Sequence, residues 1–201
     1  MSIWFFICAA CFFIAIPLHF TSVEHIQLQD KYGAEKGVAI GQIYGTISGT
    51  LESILLVGLW ISPQPSFLIP LFSTLNIHLA NLTIPIVHLM IALPLISVGA
   101  WFGIQGVRAI GLQLAETHAS PTKIVTSGVY SIVRHPQYLG WILAHIGISV
   151  LLSVSYSLLF TPVLVMLVYL ISGKEEDELL NEFSEEYDEY RNATSMLIPS
   201  W

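Results

Sequence analysis

The chain has 201 residues, a length suited to one domain, with 54% hydrophobic and only 10% charged residues. Soluble domains carry about 25% charged residues, so this composition excludes an ordinary soluble protein and points to a membrane. The net charge of −7 arises from 14 acidic and 7 basic residues. Nine of the acids fall within residues 175–189, and the bases are scattered, which excludes a basic nucleic-acid-binding surface.

A helix needs about 20 apolar residues to cross the hydrocarbon core. Residues 3–20 (IWFFICAACFFIAIPLHF) just meet that length, with a proline near the exit. They lack the basic leader and cleavage site of a signal peptide and are read as a retained helix. Cys8 and Cys11 lie inside this run, too few for a disulfide framework. Residues 38–62 form the second predicted span. Its small residues Gly41, Gly45, Ser48, Gly49 and Ser53 recur at near-helical spacing, which predicts a surface of close helix approach. The stretch FLIPLFSTLNIHL that follows is apolar but short, and reads as a loop on the outer side that dips into the interface. Residues 84–103 are the third span. Residues 139–172 are too long for one helix and predict two, folded into a hairpin around Ser153 to Ser157. The tail KEEDELLNEFSEEYDEYRNA places Leu179, Phe183, Tyr187 and Tyr190 at i, i+4, i+8 and i+11, one face of an amphipathic helix.

Five spans put all seven bases on one side of the membrane. Lys31 and Lys36 separate the first two spans, Arg108, Lys123 and Arg134 separate the third and fourth, and Lys174 and Arg191 follow the fifth. The positive-inside rule then places the N-terminus outside and the C-terminus in the cytoplasm. The expected fold is a single all-α integral membrane domain over residues 1–201, with about five transmembrane helices and a cytoplasmic C-terminal amphipathic helix.

Chemistry concentrates in GVYSIVRHPQYLGWIL, residues 128–143. Gly128 permits a turn, and Pro136 suits the first turn of the fourth membrane helix, where its missing N–H costs nothing. Arg134 and His135 then sit at a helix N-terminus, which favours an anion such as a carboxylate. Tyr130 and Tyr138 bracket that point. Taken singly, these residues fit a headgroup-seeking arginine, a helix cap and an aromatic belt; as a group beside an acidic-aromatic helix they fit a binding site. One charge lies inside the bilayer. Glu52 sits mid-span, where an ionisable group costs about 2.5–3.5 kcal/mol and marks either function or an interhelical hydrogen bond. His88 and His145 are its expected partners. His78 reads as an interface residue, and no metal-ligand spacing stands out.

Together, IVTSGVYSIVRHPQYLGW, the membrane hairpin, the acidic tail and the terminal Ile-Pro resemble the isoprenylcysteine carboxyl methyltransferase superfamily, to which phospholipid methyltransferases also belong. The resemblance covers roughly residues 100–199, while the first two helices match only in hydropathy. It implies an integral membrane enzyme that transfers a methyl group from S-adenosylmethionine to a lipophilic acceptor at the cytoplasmic face. Carried over by position, the cofactor-binding residues are Thr122, Lys123, Ile124, Val125, Tyr130, His135, Pro136, Gln137, Tyr138, Glu175 and Glu176. A substrate-holding arginine of the isoprenylcysteine enzymes falls on Ile171, which argues against a carboxylate acceptor. The family's Phe-Gly in the tail is Phe183-Ser184 here. An amine or thiol acceptor must lose a proton, for which Glu52 and His145 are the candidate catalytic groups. The expected partners are a lipophilic small molecule or lipid acceptor and the membrane lipids. The rival readings are an NADPH-dependent membrane reductase of the sterol-reductase type, which needs phosphate-binding bases, and a non-catalytic membrane scaffold.

Overall fold

A computed structural model describes residues 2–71, 75–79, 82–111 and 123–199. Three helices open the chain: α1 (Ile3–Ser22), α2 (His25–Tyr32) and α3 (Ala34–Ile61). A two-stranded antiparallel hairpin follows, β1 (Asn76–Leu79) with β2 (Leu82–Pro85), in which Asn76 pairs with Pro85. Then come α4 (Ile86–Ile110), a short 3-10 turn (Gly128–Ser131), α5 (Pro136–Leu151) and α6 (Ser155–Ala193). The protein is mostly helical. Gly33 and Gly111 end α2 and α4 at φ 85° and 91°, a region that glycine enters without a Cβ clash. Pro136 starts α5 at its first turn, as the sequence predicts.

Among the described residues, α1, α3, α4 and α6 are long and apolar enough to cross a membrane. The predicted fourth span is α5, with 16 residues. At 1.5 Å per residue it reaches about 24 Å, short of the roughly 30 Å hydrocarbon core. The exposed flanks carry large aliphatic side chains such as Ile14, Ile54, Ile61 and Leu159, a surface suited to lipid.

Three features differ from the sequence reading. A short helix, α2, lies between the first two spans, where the sequence reading assigns no element. The apolar loop after α3 contains the β1–β2 hairpin, and His78 is exposed there, bonded to Thr83. The acidic tail is continuous with the last span in one 39-residue helix, interrupted at Ser184. The turn between α5 and α6 falls at Leu152–Val154, at the leading edge of the predicted hairpin, with Ser153 at φ 57°.

Packing divides the bundle in two. Aromatic and branched residues of α1, α3 and α6 form the larger core, where Phe12 meets Phe160 edge-on at 5.7 Å. Two helix pairs approach very closely, α2 with α3 at Gly37 and α4 with α5. A Cβ on Gly140 would lie 2.6 Å from the Gly99 carbonyl oxygen, and one on Gly147 would lie 2.7 Å from an Ile96 side-chain carbon. The close-approach surface expected on α3 is only partly used that way. Gly41 packs near Leu28 and Ser22, but Gly49 faces open space.

Candidate functional site

That open space is the floor of a cavity of about 480 Å³ at the end of the bundle where α1 finishes and α5 begins. Thr46, Gly49, Thr50 and Ser53 line it from α3, so Gly49 and Ser53 of the predicted small-residue surface border open space rather than a neighbouring helix. Lys123, Ile124, Val125, Tyr130, His135, Pro136, Gln137 and Tyr138 line it from the chain leading into α5. Glu175, Glu178, Leu179, Glu182, Tyr187 and Tyr190 line it from α6. The volume lies within the roughly 300–1,000 Å³ usual for ligand pockets.

The predicted cofactor residues therefore meet on one cavity, with two exceptions. Glu176 lies behind its wall, and Thr122 is outside the described residues. Glu176 is 1% exposed and is gripped by Arg134, whose Nε and Nη2 donate to the two carboxylate oxygens at 2.8 and 3.0 Å. The same guanidinium donates to the carbonyls of Arg191 and Thr194. Backbone N–H groups of Arg134 and His135 donate to the carbonyls of Ser195 and Met196 at 2.9 and 3.1 Å. Arg134 thus fastens the end of the chain to the start of α5 and does not reach for headgroups.

His135 lies between the two glutamates, with Nδ1 3.2 Å from Glu175 and Nε2 3.1 Å from Glu176. Burial opposes its charged form, but the bonds to both carboxylates outweigh that and raise its pKa above the ordinary histidine value. Its ring stacks on Tyr138 at 5.8 Å, and the Tyr138 hydroxyl donates to Glu175. Burial pushes the Tyr130 phenol up to about 12, with the Glu175 charge adding and the Gln137 hydrogen bond opposing, so the hydroxyl stays protonated. The Tyr130 carbonyl accepts from Tyr190 at 2.6 Å, tying the tail to the 3-10 turn.

The intramembrane candidates fall elsewhere. Glu52 is 3% exposed, and its partner is His19, not His88 or His145: His19 Nδ1 lies 3.0 Å from both carboxylate oxygens. His19 lines the main cavity. Glu52 lies just beyond, on a small cavity of about 20 Å³ that His19, Tyr138 and Trp141 share with the larger one. Ile171 lines that small cavity too, and is buried. His145 borders neither. Its Nδ1 accepts from Trp60 at 3.1 Å and its Nε2 lies 2.9 Å from the Ser157 carbonyl, which couples α3, α5 and α6. His88 holds the far end, accepting the Ile69 N–H at 3.1 Å and bonding Ser153 at 2.7 Å. Sequence reasoning missed His19, although a histidine at the end of an apolar run, one span before a buried glutamate, was the available signal. It also missed His25, Glu178 and Glu182, which only the fold brings to the cavity.

The wall charge is uneven. Glu175, Glu178 and Glu182 face Lys123 and Arg134, and Arg134 is committed to Glu176. Lys174 pairs with Glu24. Such a wall suits a ligand with net positive charge, a carboxylate near the α5 N-terminus and an apolar ring system beside Ile124 and Val125.

Residues 87–186 match the family model for phospholipid methyltransferase. The chain is also 34% identical over 98 residues to methanethiol S-methyltransferase 1 of Bradyrhizobium diazoefficiens, covering 49% of this chain and 34% of that protein. It is 33% identical over 98 residues to methanethiol S-methyltransferase of Crocosphaera subtropica, covering 49% and 38%. Against the human protein-S-isoprenylcysteine O-methyltransferase it is 36% identical over 92 residues, covering 42% and 29%. The matched stretch thus spans roughly a third of each curated relative's length.

Proposed function

Through residues 87–186 the chain belongs to the superfamily that holds the phospholipid and isoprenylcysteine methyltransferases, and we propose that it is an integral membrane methyltransferase that takes its methyl group from S-adenosylmethionine. The observation that carries this reading is the convergence of both sequence blocks, 123–138 and 175–190, on one cavity with three glutamates in its wall. S-adenosylmethionine fits those residues. Its sulfonium and ammonium give it net positive charge, which Glu175 and the aromatic faces of Tyr130 and Tyr138 favour. Its carboxylate suits Lys123 and the free N–H groups of the first turn of α5. His135 acts through Glu175, fixing that carboxylate from behind. Ile124 and Val125 offer an apolar slot for the adenine. NADPH, with several phosphate charges, would meet three glutamates and few uncommitted bases.

When bound, the cofactor supplies an electrophilic methyl group for in-line displacement. The protein aligns the nucleophile and excludes water, and that alignment is the larger part of such catalysis. The acceptor is lipophilic and enters from the bilayer. Ile171 offers no donor for a carboxylate, and the relatives named methanethiol S-methyltransferases support a thiol acceptor over a prenylcysteine carboxylate. The cavity end faces the cytoplasm: Lys31 lies in α2, Lys36 and Arg108 at the near ends of α3 and α4, Lys123 and Arg134 before α5, and Lys174 and Arg191 in the later half of α6. That orientation requires α5 to complete a fifth crossing, despite its 16 residues.

The test is calorimetric titration of S-adenosylmethionine and of NADPH into the purified full chain. Binding of the first alone is expected. Binding of NADPH alone would favour the reductase reading, and binding of neither would favour a scaffold.

A further inference from the structure

His19 and Glu52 are buried at 2% and 3% exposure, on α1 and α3. Neither belongs to the matched half of the chain. Nδ1 of His19 is centred on the Glu52 carboxylate, 3.0 Å from each oxygen. A carboxylate placed there holds the proton on Nδ1 and makes Nε2 the basic nitrogen, the logic of any carboxylate–histidine pair in general-base work. Nε2 faces Tyr138, whose hydroxyl is 3.4 Å away but gives its proton to Glu175. His19 also borders both cavities, so its imidazole lies where the cofactor-binding space meets the apolar slot beside Ile171. A purely structural pair would have no reason to stand at that junction.

We infer that His19 is the general base of the reaction, that Glu52 positions it, and that the acceptor is a protic nucleophile, a thiol or an amine, reactive only after losing a proton. The inference rests on the cavity binding S-adenosylmethionine. For a thiol, the S–H proton passes to Nε2 and the sulfur keeps the electron pair. That pair forms the new sulfur–methyl bond, while the pair of the broken methyl–sulfonium bond stays with the donor sulfur, which becomes a neutral thioether. The imidazolium is balanced by Glu52 and returns its proton to water through the open cavity. Among the described residues, Tyr138 from α5 meets His19 directly, and Glu175 from α6 and His25 from α2 line the same cavity. A carboxylate acceptor would need none of this machinery.

The experiment uses the full chain and the variants His19→Gln and Glu52→Gln, with two thiol probes and a primary alkylamine. One thiol is an alkyl thiol, protonated at neutral pH; the other is an aryl thiol, already ionised. General-base loss should slow alkyl thiol methylation in His19→Gln by about 10²–10⁴-fold, and leave the aryl thiol within severalfold of wild type. Glu52→Gln should show the same selectivity, more weakly. The alkylamine tells whether nitrogen acceptors share the base. A second readout needs no turnover: the ultraviolet thiolate absorption of the alkyl thiol bound to cofactor-free protein should appear in the wild type and fade in His19→Gln. S-adenosylmethionine affinity serves as the control for folding and for the underlying reading. If it is absent even in the wild type, the cofactor assignment fails first. If it is intact while the variant slows both thiols equally, or while the wild type methylates none of the probes, the base assignment is overturned.

Discussion

Two buried carboxylates in this molecule each lie about 3 Å from a histidine, yet their surroundings differ. At the α5–α6 junction Glu176 is saturated: Arg134 takes both oxygens, His135 takes one again, and Arg191 stands 3.5 Å away. Between α1 and α3, Glu52 has His19, and that histidine opens onto the cavity. The first arrangement has enough donors to hold an anion permanently, and so fastens the end of the chain. The second leaves the histidine at the edge of the reaction space. Identical residue types thus serve for holding in one place and for moving a proton in the other, decided by the count of neighbouring charges.

Removing one partner from the saturated site is expected to have the largest effect. Arg134→Ala takes two of the donors from Glu176, which is 1% exposed, and should cost about 3 kcal/mol, read as a loss of thermal stability in detergent. A Glu52→Gln variant should stay folded beside it; comparable loss in both would erase the distinction drawn here. Next comes Glu175→Ala, which removes a charge-assisted contact of about 1.5–3 kcal/mol and should weaken S-adenosylmethionine binding roughly tenfold to hundredfold by calorimetry. Gly140→Ala drives a methyl group into the Gly99 carbonyl and should destabilise the α4–α5 pair by about 1–3 kcal/mol, seen in a melting curve.

Ser184 occupies φ 47° and ψ −117° inside α6, a conformation that glycine tolerates and serine does not. Ser184→Gly should therefore stabilise the tail by about 1 kcal/mol, visible as a higher melting temperature. The gentlest probe is pH. The folded-state pKa of His135 lies above its unfolded value near 6.5. Its contribution to stability is complete below that value and fades as pH rises through the raised one. Melting temperature should fall over that alkaline side, and less so in His135→Gln.

Much of this was legible because hydropathy and Pro-Gly punctuation act locally. Apolar runs mark α1, α3 and α4, and Pro136 marks the start of α5. The 123–138 block and Glu175 were picked out through the family resemblance, whose two blocks are each contiguous in sequence. The partner of Glu52 was not: His19 is 33 residues away, and only the packing of α1 on α3 selects it over His88 and His145. The break at Ser184 was marked only by the resemblance, whose Phe-Gly falls on Phe183-Ser184. An uninterrupted 3.6-residue pattern through Leu179, Phe183, Tyr187 and Tyr190 gives no sign that the backbone must turn to bury the two tyrosines.

The most direct measurement is photolabelling of the full chain with S-adenosylmethionine carrying a labelled methyl group, followed by peptide mapping. The account predicts label on peptides covering residues 123–141 and 175–190, abolished by excess S-adenosylhomocysteine. Label confined to residues 1–99, or label that the competitor does not displace, would contradict the claim that the cavity between the two blocks holds the methyl donor.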